Sequence, residues 1–179
     1  AWCTGAAVVP AVRAERAPAE LPVLAGVSVA ARQLPAEGVL AGDWYDGVGL
    51  EGDFVGVCIG DVAGHGAETG ILALQTKQLV VSALRLGLDP GKALGWTAEH
   101  LGVTPERFVT CLVAVVNPQT GSCRYANAGH PPALVIEEGD GVRELLVTGP
   151  LLGPYAGSWR TEETTLAPAR TWLFATHGR

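Results

Sequence analysis

The chain has 179 residues, of which 48% are hydrophobic and 17% are charged, and these proportions are ordinary for a globular domain with a buried core. They exclude an intrinsically disordered chain, a collagen-like repeat and a coiled coil. The 18 acidic and 12 basic residues give a formal net charge of -6, without any long run of like charge. We therefore expect neither a nucleic acid nor an anionic membrane surface as a partner.

The four cysteines are scattered along the chain and form no Cys-x-x-Cys pair. Cys58 and Cys111 lie inside apolar, strand-like runs, which favours buried thiols over disulfides or a zinc site. The sequence also has no apolar stretch of the roughly 18 to 20 residues that a membrane span requires. These features predict a cytoplasmic domain that makes no membrane contact.

The first 22 residues form an Ala-rich stretch that contains Pro10, Pro18 and Pro22. This composition shows no strong period, so we predict a linker or N-terminal extension at 1–22 and one domain at 23–179. From Gly26 onward, apolar residues such as Val27 and Val29 alternate with other residues, which predicts a strand.

A hairpin and two helices follow in the predicted order of elements. The apolar run Phe54–Ile59 predicts a strand that returns alongside the segment Gly42–Gly47. Beyond Gly66, apolar residues recur at helical spacing as far as Gly87. The pair Asp89-Pro90 then predicts an N-cap and first turn of a second helix, which ends at Gly102.

The part of the chain after Pro105 has the alternation and turn signals of consecutive strands. The predicted strands are Phe108–Val116, Cys123–Ala128, Ala133–Ile136, Arg143–Val147, Glu163–Leu166 and Trp172–Ala175. Strands joined by short turns pair antiparallel, and the two helices are consecutive rather than alternating with strands. This order predicts an α+β fold in which helices cover antiparallel sheet.

The aspartates are unevenly distributed, because four of the six fall within nineteen residues: Asp43, Asp46, Asp53 and Asp61. Pairing of the two arms of the hairpin would bring Asp43 close to Asp61. Neighbouring carboxylates repel each other unless a cation lies between them, and hard oxygen ligands suit magnesium or manganese. The alternative is that Asp43 and Asp46 form turns and that Asp61 caps the helix that begins near Gly66.

Two histidines carry possible chemistry. His65 lies between Gly64 and Gly66, where it could protonate a leaving group or bind a phosphate, or simply be an exposed loop residue. His130 ends a strand just before a Pro pair, so its imidazole and the Asn127 amide could instead fix that corner. The sequence contains no Gly-x-Ser-x-Gly elbow and no phosphate-binding P-loop, so covalent catalysis is not expected.

Five motifs occur in a fixed order: Gly-Asp-Trp-Tyr-Asp at 42–46, Gly-Asp-Val-Ala-Gly-His-Gly at 60–66, Arg-Phe-Val-Thr at 107–110, Tyr-Ala-Asn-Ala-Gly-His-Pro-Pro at 125–132 and Trp-Leu-Phe-Ala-Thr-His-Gly at 172–178. In order and spacing they resemble those of bacterial metal-dependent serine/threonine protein phosphatases of the PPM superfamily, in the SpoIIE-like branch. The resemblance runs from about Leu21 to the last residue.

The resemblance implies a four-layer αββα sandwich, in which two mainly antiparallel sheets are flanked by helices and two Mn²⁺ or Mg²⁺ ions lie at one end. It implies that Asp61 bridges both ions, that the backbone carbonyl of Val62 binds one of them, and that Asp43 binds metal directly or through water. We assign catalytic roles to Asp43, Asp61 and His65. We assign substrate binding to Gly64, Gly66, Asn127 and His130.

The chain departs from the family pattern in its last motif, where Thr176-His177-Gly178 replaces Thr-Asp-Gly. We assign His177 to the metal site in place of the family aspartate. A neutral imidazole contributes no negative charge and magnesium prefers oxygen, so we expect weakened metal loading. The chain also ends before the segment where the family places its last helix and final strand, so we expect both to be lacking.

The expected activity is hydrolysis of phosphoserine or phosphothreonine on a partner protein by metal-activated water. By analogy with the family, the expected partner is a phosphorylated anti-sigma-factor antagonist of the STAS type. The alternative, which His177 favours, is a weak or inactive pseudophosphatase that binds the same partner as a regulatory module. Relatives commonly carry a fused sensor domain upstream, and the predicted linker at 1–22 would suit such an attachment.

Overall fold

The computed structural model describes residues 30–32, 42–136, 141–165 and 171–176. The predicted linker at 1–22 lies outside these residues, and so does most of the strand predicted from Gly26. Residues 30–32 themselves belong to no helix or strand. The candidate ligand His177 also lies outside the described part of the chain.

Two antiparallel sheets and two helices make up the described structure. The larger sheet has the strand order β1-β2-β3-β4-β7, in which the strands are β1 Trp44–Gly49, β2 Val55–Val62, β3 Val109–Val116, β4 Ser122–Ala128 and β7 Glu162–Thr165. The smaller sheet has the order β6-β5-β8, with β5 Ala133–Ile136, β6 Val142–Leu145 and β8 Thr171–Leu173. The helices are α1 Ala67–Arg85 and α2 Pro90–His100.

Alternation along the strands divides the core into two clusters, one on each face of the larger sheet. On β2, Cys58 and Val62 pack in the cluster that contains the buried residues of α1 and α2. Ile59 packs instead against the smaller sheet, together with Leu112 and Val135. Successive side chains of a strand point to opposite faces, so Asp61 shares the inter-sheet face with Ile59.

The helix boundaries follow local sequence signals. α1 begins after Gly66, which has a φ of 96°, and the chain leaves it through Gly87, with a φ of 80°. Both values lie in the left-handed region that glycine adopts without strain. Asp89 caps α2 by accepting a hydrogen bond from the backbone N–H of Lys92 at 3.1 Å, and Pro90 occupies the first turn, as the sequence predicts.

The structure confirms the predicted α+β class and its antiparallel sheets. In the described residues the layers are helices, larger sheet and smaller sheet, and the smaller sheet exposes Ile136, Val142 and Leu173.

Three cysteines of the described residues are free and buried, and burial raises the pKa of each thiol: Cys58, Cys111 and Cys123. Among the described helices, none is both long and apolar enough to cross a membrane.

Candidate metal-binding and active site

The hairpin of β1 and β2 brings Asp43 and Asp61 together. In its register Trp44 pairs with Gly60, and the ladder continues one step further because the Val62 N–H donates to the Gly42 carbonyl oxygen at 3.3 Å. Asp43 therefore lies opposite Asp61, as the sequence predicts. α1 has Gly66 as its N-cap, so the alternative in which Asp61 caps that helix is wrong.

Gly42 makes this close approach possible. A Cβ atom built at Gly42 would lie 2.1 Å from the carbonyl oxygen of Val62 and 2.7 Å from Oδ1 of Asp61. Both separations are too short for a real side chain. The missing side chain thus allows the Asp61 carboxylate and the Val62 carbonyl to pack directly against the Gly42 backbone.

The electrostatics of Asp61 are unusual for an aspartate. Desolvation by burial, followed by the charge of Asp43, raises its pKa from 3.8 to about 6, against a lowering contribution from a backbone hydrogen bond with Val62. Both causes disfavour the ionised carboxylate. A divalent cation between the two carboxylates would reverse this preference, which is why such a pair is a candidate metal site.

The last motif of the chain also reaches this site. The hydroxyl group of Thr176 donates a hydrogen bond to Oδ1 of Asp43, although 133 positions separate the two residues. Thr176 is not among the site residues predicted from the sequence. Its position in the motif directly before His177 is the signal that could have identified it.

Asp46 belongs to the opposite face of β1. One of its carboxylate oxygens lies 3.4 Å from the Nζ atom of Lys77 on α1, and the Lys77 side chain is only 5% exposed. The other oxygen accepts a hydrogen bond from the Gly47 N–H at 2.8 Å. Asp46 therefore forms a buried ion pair within the helix-facing core and does not belong to the candidate metal site.

The loop between β2 and α1 carries three of the site residues that the sequence predicts. Gly64 and His65 are both exposed, and Gly66 is partly buried at the helix N-terminus. Gly64 has a φ of 108°, so the chain turns sharply directly after the carboxylate strand. The catalytic and substrate-binding roles of these residues stay predictions.

Asn127 and His130 are almost completely buried, with exposures of 0% and 1%. The Asn127 side chain accepts a hydrogen bond from the backbone N–H of His130 at 2.8 Å and donates one to its carbonyl oxygen at 3.0 Å. Nδ1 of His130 lies 2.9 Å from the hydroxyl oxygen of Thr110. These contacts fix the corner between β4 and β5, and the predicted substrate-binding roles stay predictions.

The residues present fit a hard divalent cation. Two carboxylates and the Val62 carbonyl offer oxygen ligands, and the Asp61 carboxylate and the Val62 carbonyl both lie close to Gly42. Within the described ranges no group of three or more His, Cys, Asp or Glu side chains is placed to hold a metal ion. The further side-chain ligand that the sequence predicts, His177, lies outside those ranges.

An open groove of about 570 Å³ lies on another part of the surface, between α1 and the segment 102–107. It is lined by Glu68, Gln75, Thr104 and Arg107 among others, and Arg107 forms an ion pair with Glu68. Its lining does not include the two carboxylates, so the groove is separate from the candidate metal site.

A family model described as Stage II sporulation protein E (SpoIIE) matches residues 51–179. The chain belongs to the SpoIIE family. Its relatives include the phosphoserine phosphatase RsbP of Bacillus subtilis (strain 168), which is 28% identical over 127 residues. The aligned part covers 67% of this chain but only 31% of RsbP, so the chain spans about a third of the length of this curated relative.

Two solved structures share the fold of this SpoIIE-family chain. The RsbU and RsbW domains of Rv1364c from Mycobacterium tuberculosis match with a TM-score of 0.67 and 27% identity, over 83% of this chain and 41% of that one. RsbX, solved in complex with magnesium, matches with a TM-score of 0.67 at 15% identity, over 79% of this chain and 69% of that one. The second likeness shows the fold alone.

Proposed function

We propose that this SpoIIE-family chain is a metal-dependent protein phosphatase that hydrolyses phosphoserine or phosphothreonine on a partner protein. The observation that carries the proposal is the convergence of Asp43 and Asp61, with the Asp61 pKa raised to about 6. The magnesium reported with RsbX, and the name of RsbP as a phosphoserine phosphatase, support the same chemistry. The substrate we propose is a phosphorylated anti-sigma-factor antagonist of the STAS type.

The residues of the chain would act by position and charge. Asp61, Asp43 and the Val62 carbonyl would hold two Mn²⁺ or Mg²⁺ ions, which when bound lower the pKa of a shared water and offset charge on the phosphoryl group. Thr176 orients the Asp43 carboxylate through its hydrogen bond. To His65, which is exposed on the loop after β2, we assign protonation of the leaving alcohol of the substrate.

Hydrolysis of p-nitrophenyl phosphate with and without manganese tests this proposal. We expect a rate that depends on manganese in the unchanged chain and that disappears in Asp61→Asn, because the variant loses the central anionic ligand. Asp53→Asn is the matched control, since Asp53 is exposed at the turn of the same hairpin and has a φ of 61°, which asparagine tolerates. Equal rates in the two variants would contradict the proposal.

The substitution His177→Asp tests the departure from the family pattern. Thr176, which directly precedes position 177, is hydrogen-bonded to Asp43. A carboxylate at position 177 is therefore expected to strengthen manganese binding and raise the rate of hydrolysis. Calorimetric titration with manganese gives a readout that is independent of turnover. Unchanged binding would show that position 177 is not at the metal site, whereas activity that appears only in His177→Asp would favour the regulatory pseudophosphatase.

A further inference from the structure

Thr110 places a hydroxyl group beside the Asp61 carboxylate. It lies on β3 and pairs with Asp61 of β2 in the antiparallel register. Residues directly opposite each other in such a ladder share one face and have Cβ atoms about 4.5 to 5.5 Å apart. Thr110 is half-buried, so its hydroxyl stands at the edge of the inter-sheet space where the two carboxylates converge.

A hydrogen bond with the buried His130 side chain fixes the position of the Thr110 hydroxyl group. Nδ1 of the imidazole lies 2.9 Å from Oγ1 of Thr110, and His130 is only 1% exposed. Its backbone is in turn held by both polar atoms of the Asn127 side chain. The three residues therefore form a continuous hydrogen-bonded series that ends beside Asp61.

We propose that His130 donates its Nδ1–H to Thr110, so that the Thr110 hydroxyl proton points toward the carboxylate end and donates to a phosphoryl oxygen of the substrate. The negative charge of the neighbouring carboxylates supports this direction of the hydrogen bond between His130 and Thr110. A hydroxyl that donated to His130 would turn its lone pairs toward Asp43 and Asp61, which electrostatic repulsion disfavours. Thr110 then orients the substrate and His130 is a positioning residue for Thr110; both roles rest on the proposed phosphatase function.

The substitution Thr110→Val tests this role because it removes the hydroxyl and nearly keeps the shape. With manganese present, we expect the affinity for inorganic phosphate and the kcat on p-nitrophenyl phosphate each to fall about tenfold to a hundredfold, the effect of losing a hydrogen bond to a charged group. Manganese affinity should not change, because Thr110 is not a ligand. Thr110→Ser should restore both values.

Thr97→Val is the matched control. Thr97 is completely buried, whereas Thr110 is half-buried, and the Thr97 hydroxyl donates to the Ala93 carbonyl oxygen within α2, on the other side of the larger sheet. A general loss of packing would therefore affect Thr97→Val at least as much as Thr110→Val. The proposal predicts that only Thr110→Val weakens phosphate binding, as measured by calorimetry.

The hydrogen-bond direction has its own spectroscopic test. Long-range ¹H–¹⁵N spectra of the unmodified, metal-free chain distinguish which ring nitrogen of His130 carries the proton, and Nδ1 is expected. A proton on Nε2 alone would overturn the proposed direction. Unchanged phosphate affinity in Thr110→Val would overturn the role of Thr110 in an active chain, whereas absence of manganese-dependent hydrolysis in the unmodified chain contradicts the proposed function itself.

Discussion

Strand β1 and the residue before it carry two carboxylates with opposite electrostatic surroundings. Asp46 faces the helices and forms an ion pair with the Lys77 side chain. Asp43 faces the inter-sheet space opposite Asp61, and the negative charge of Asp43 helps raise the Asp61 pKa. The fold thus offsets one carboxylate with a lysine, whereas it places the other beside a second carboxylate and gives it a hydrogen bond from the Thr176 hydroxyl.

This difference separates a carboxylate that has a cationic partner from two carboxylates that repel each other. A buried ion pair stabilises a fold little compared with apolar packing, but it is costly to break because one charge is left without compensation. A pair of like charges is costly in the folded state itself and becomes favourable when a cation binds. The two faces of β1 should therefore respond in opposite directions when a charge is removed.

The largest effect is expected on the helix-facing side. Lys77→Met should lower the free energy of unfolding by about 3 to 5 kcal/mol, because it leaves the Asp46 carboxylate buried beside an apolar side chain. Urea denaturation followed by circular dichroism measures this change. The double variant Asp46→Asn/Lys77→Met should recover much of the loss.

Lys92→Met is the control for removing a lysine charge. Lys92 forms an ion pair with Asp89 at 3.0 Å, but its side chain is 75% exposed, so the effect should be below about 1 kcal/mol. A loss in Lys77→Met no greater than that in Lys92→Met would show that the buried pair is not a distinct structural element.

On the inter-sheet side, removing a charge should stabilise the metal-free chain. Asp43→Asn removes the like charge that helps raise the Asp61 pKa, and the expected gain is about 1 kcal/mol at pH 7 after allowing for solvent screening of a half-exposed carboxylate. The same variant should lose the stabilisation that manganese gives the unmodified chain. Thermal unfolding with and without manganese measures both effects, and a destabilised metal-free variant would contradict the prediction.

The pH dependence of stability follows from the same shift. The folded-state pKa of Asp61, about 6, lies above the ordinary value of 3.8, so its contribution is complete below about pH 3.8 and is lost as the pH rises through 6. The metal-free chain should therefore lose the contribution of Asp61 to its free energy of unfolding between about pH 4 and 7. Asp61→Asn should remove that part of the profile, and an unchanged profile would show that Asp61 titrates normally.

The smallest effect is expected at an exposed ion pair. Arg107 and Glu68 also bear opposite charges, but the Glu68 side chain is 78% exposed. Glu68→Gln should change the free energy of unfolding by less than about 1 kcal/mol, because water and salt screen such pairs. A larger loss, measured in the same urea titration, would mean that solvent exposure does not separate this pair from the Lys77 pair.

The sequence predicts those parts of the fold and site that depend on local pattern. The register of Asp43 against Asp61 follows from a hairpin whose arms are both visible, and the Asp89 cap follows from its neighbouring proline. Lys77 could not be predicted as buried, because its partner Asp46 lies 31 positions earlier and only the packing of α1 on β1 brings them together. Tertiary contacts of this kind leave no local signal.

The arrangement of the later strands shows the same limit. β7 pairs with β4 of the larger sheet, whereas β8, the next strand along the chain, pairs with β5 of the smaller sheet. Alternation and turn residues predict that each strand exists, but they do not say which sheet it joins. For the same reason the contact of Thr176 with Asp43 appears only in the folded structure.

The hydrogen bond between Thr176 and Asp43 has a consequence for how the domain matures during synthesis. Asp43 leaves the ribosome long before Thr176 does, because 133 positions separate the two residues in the chain. Closing so long a loop is slow and depends on the strands between them being paired first. A nascent chain can thus form its first hairpin early, yet Asp43 gains the hydrogen bond from Thr176 only after 133 further residues have been synthesised.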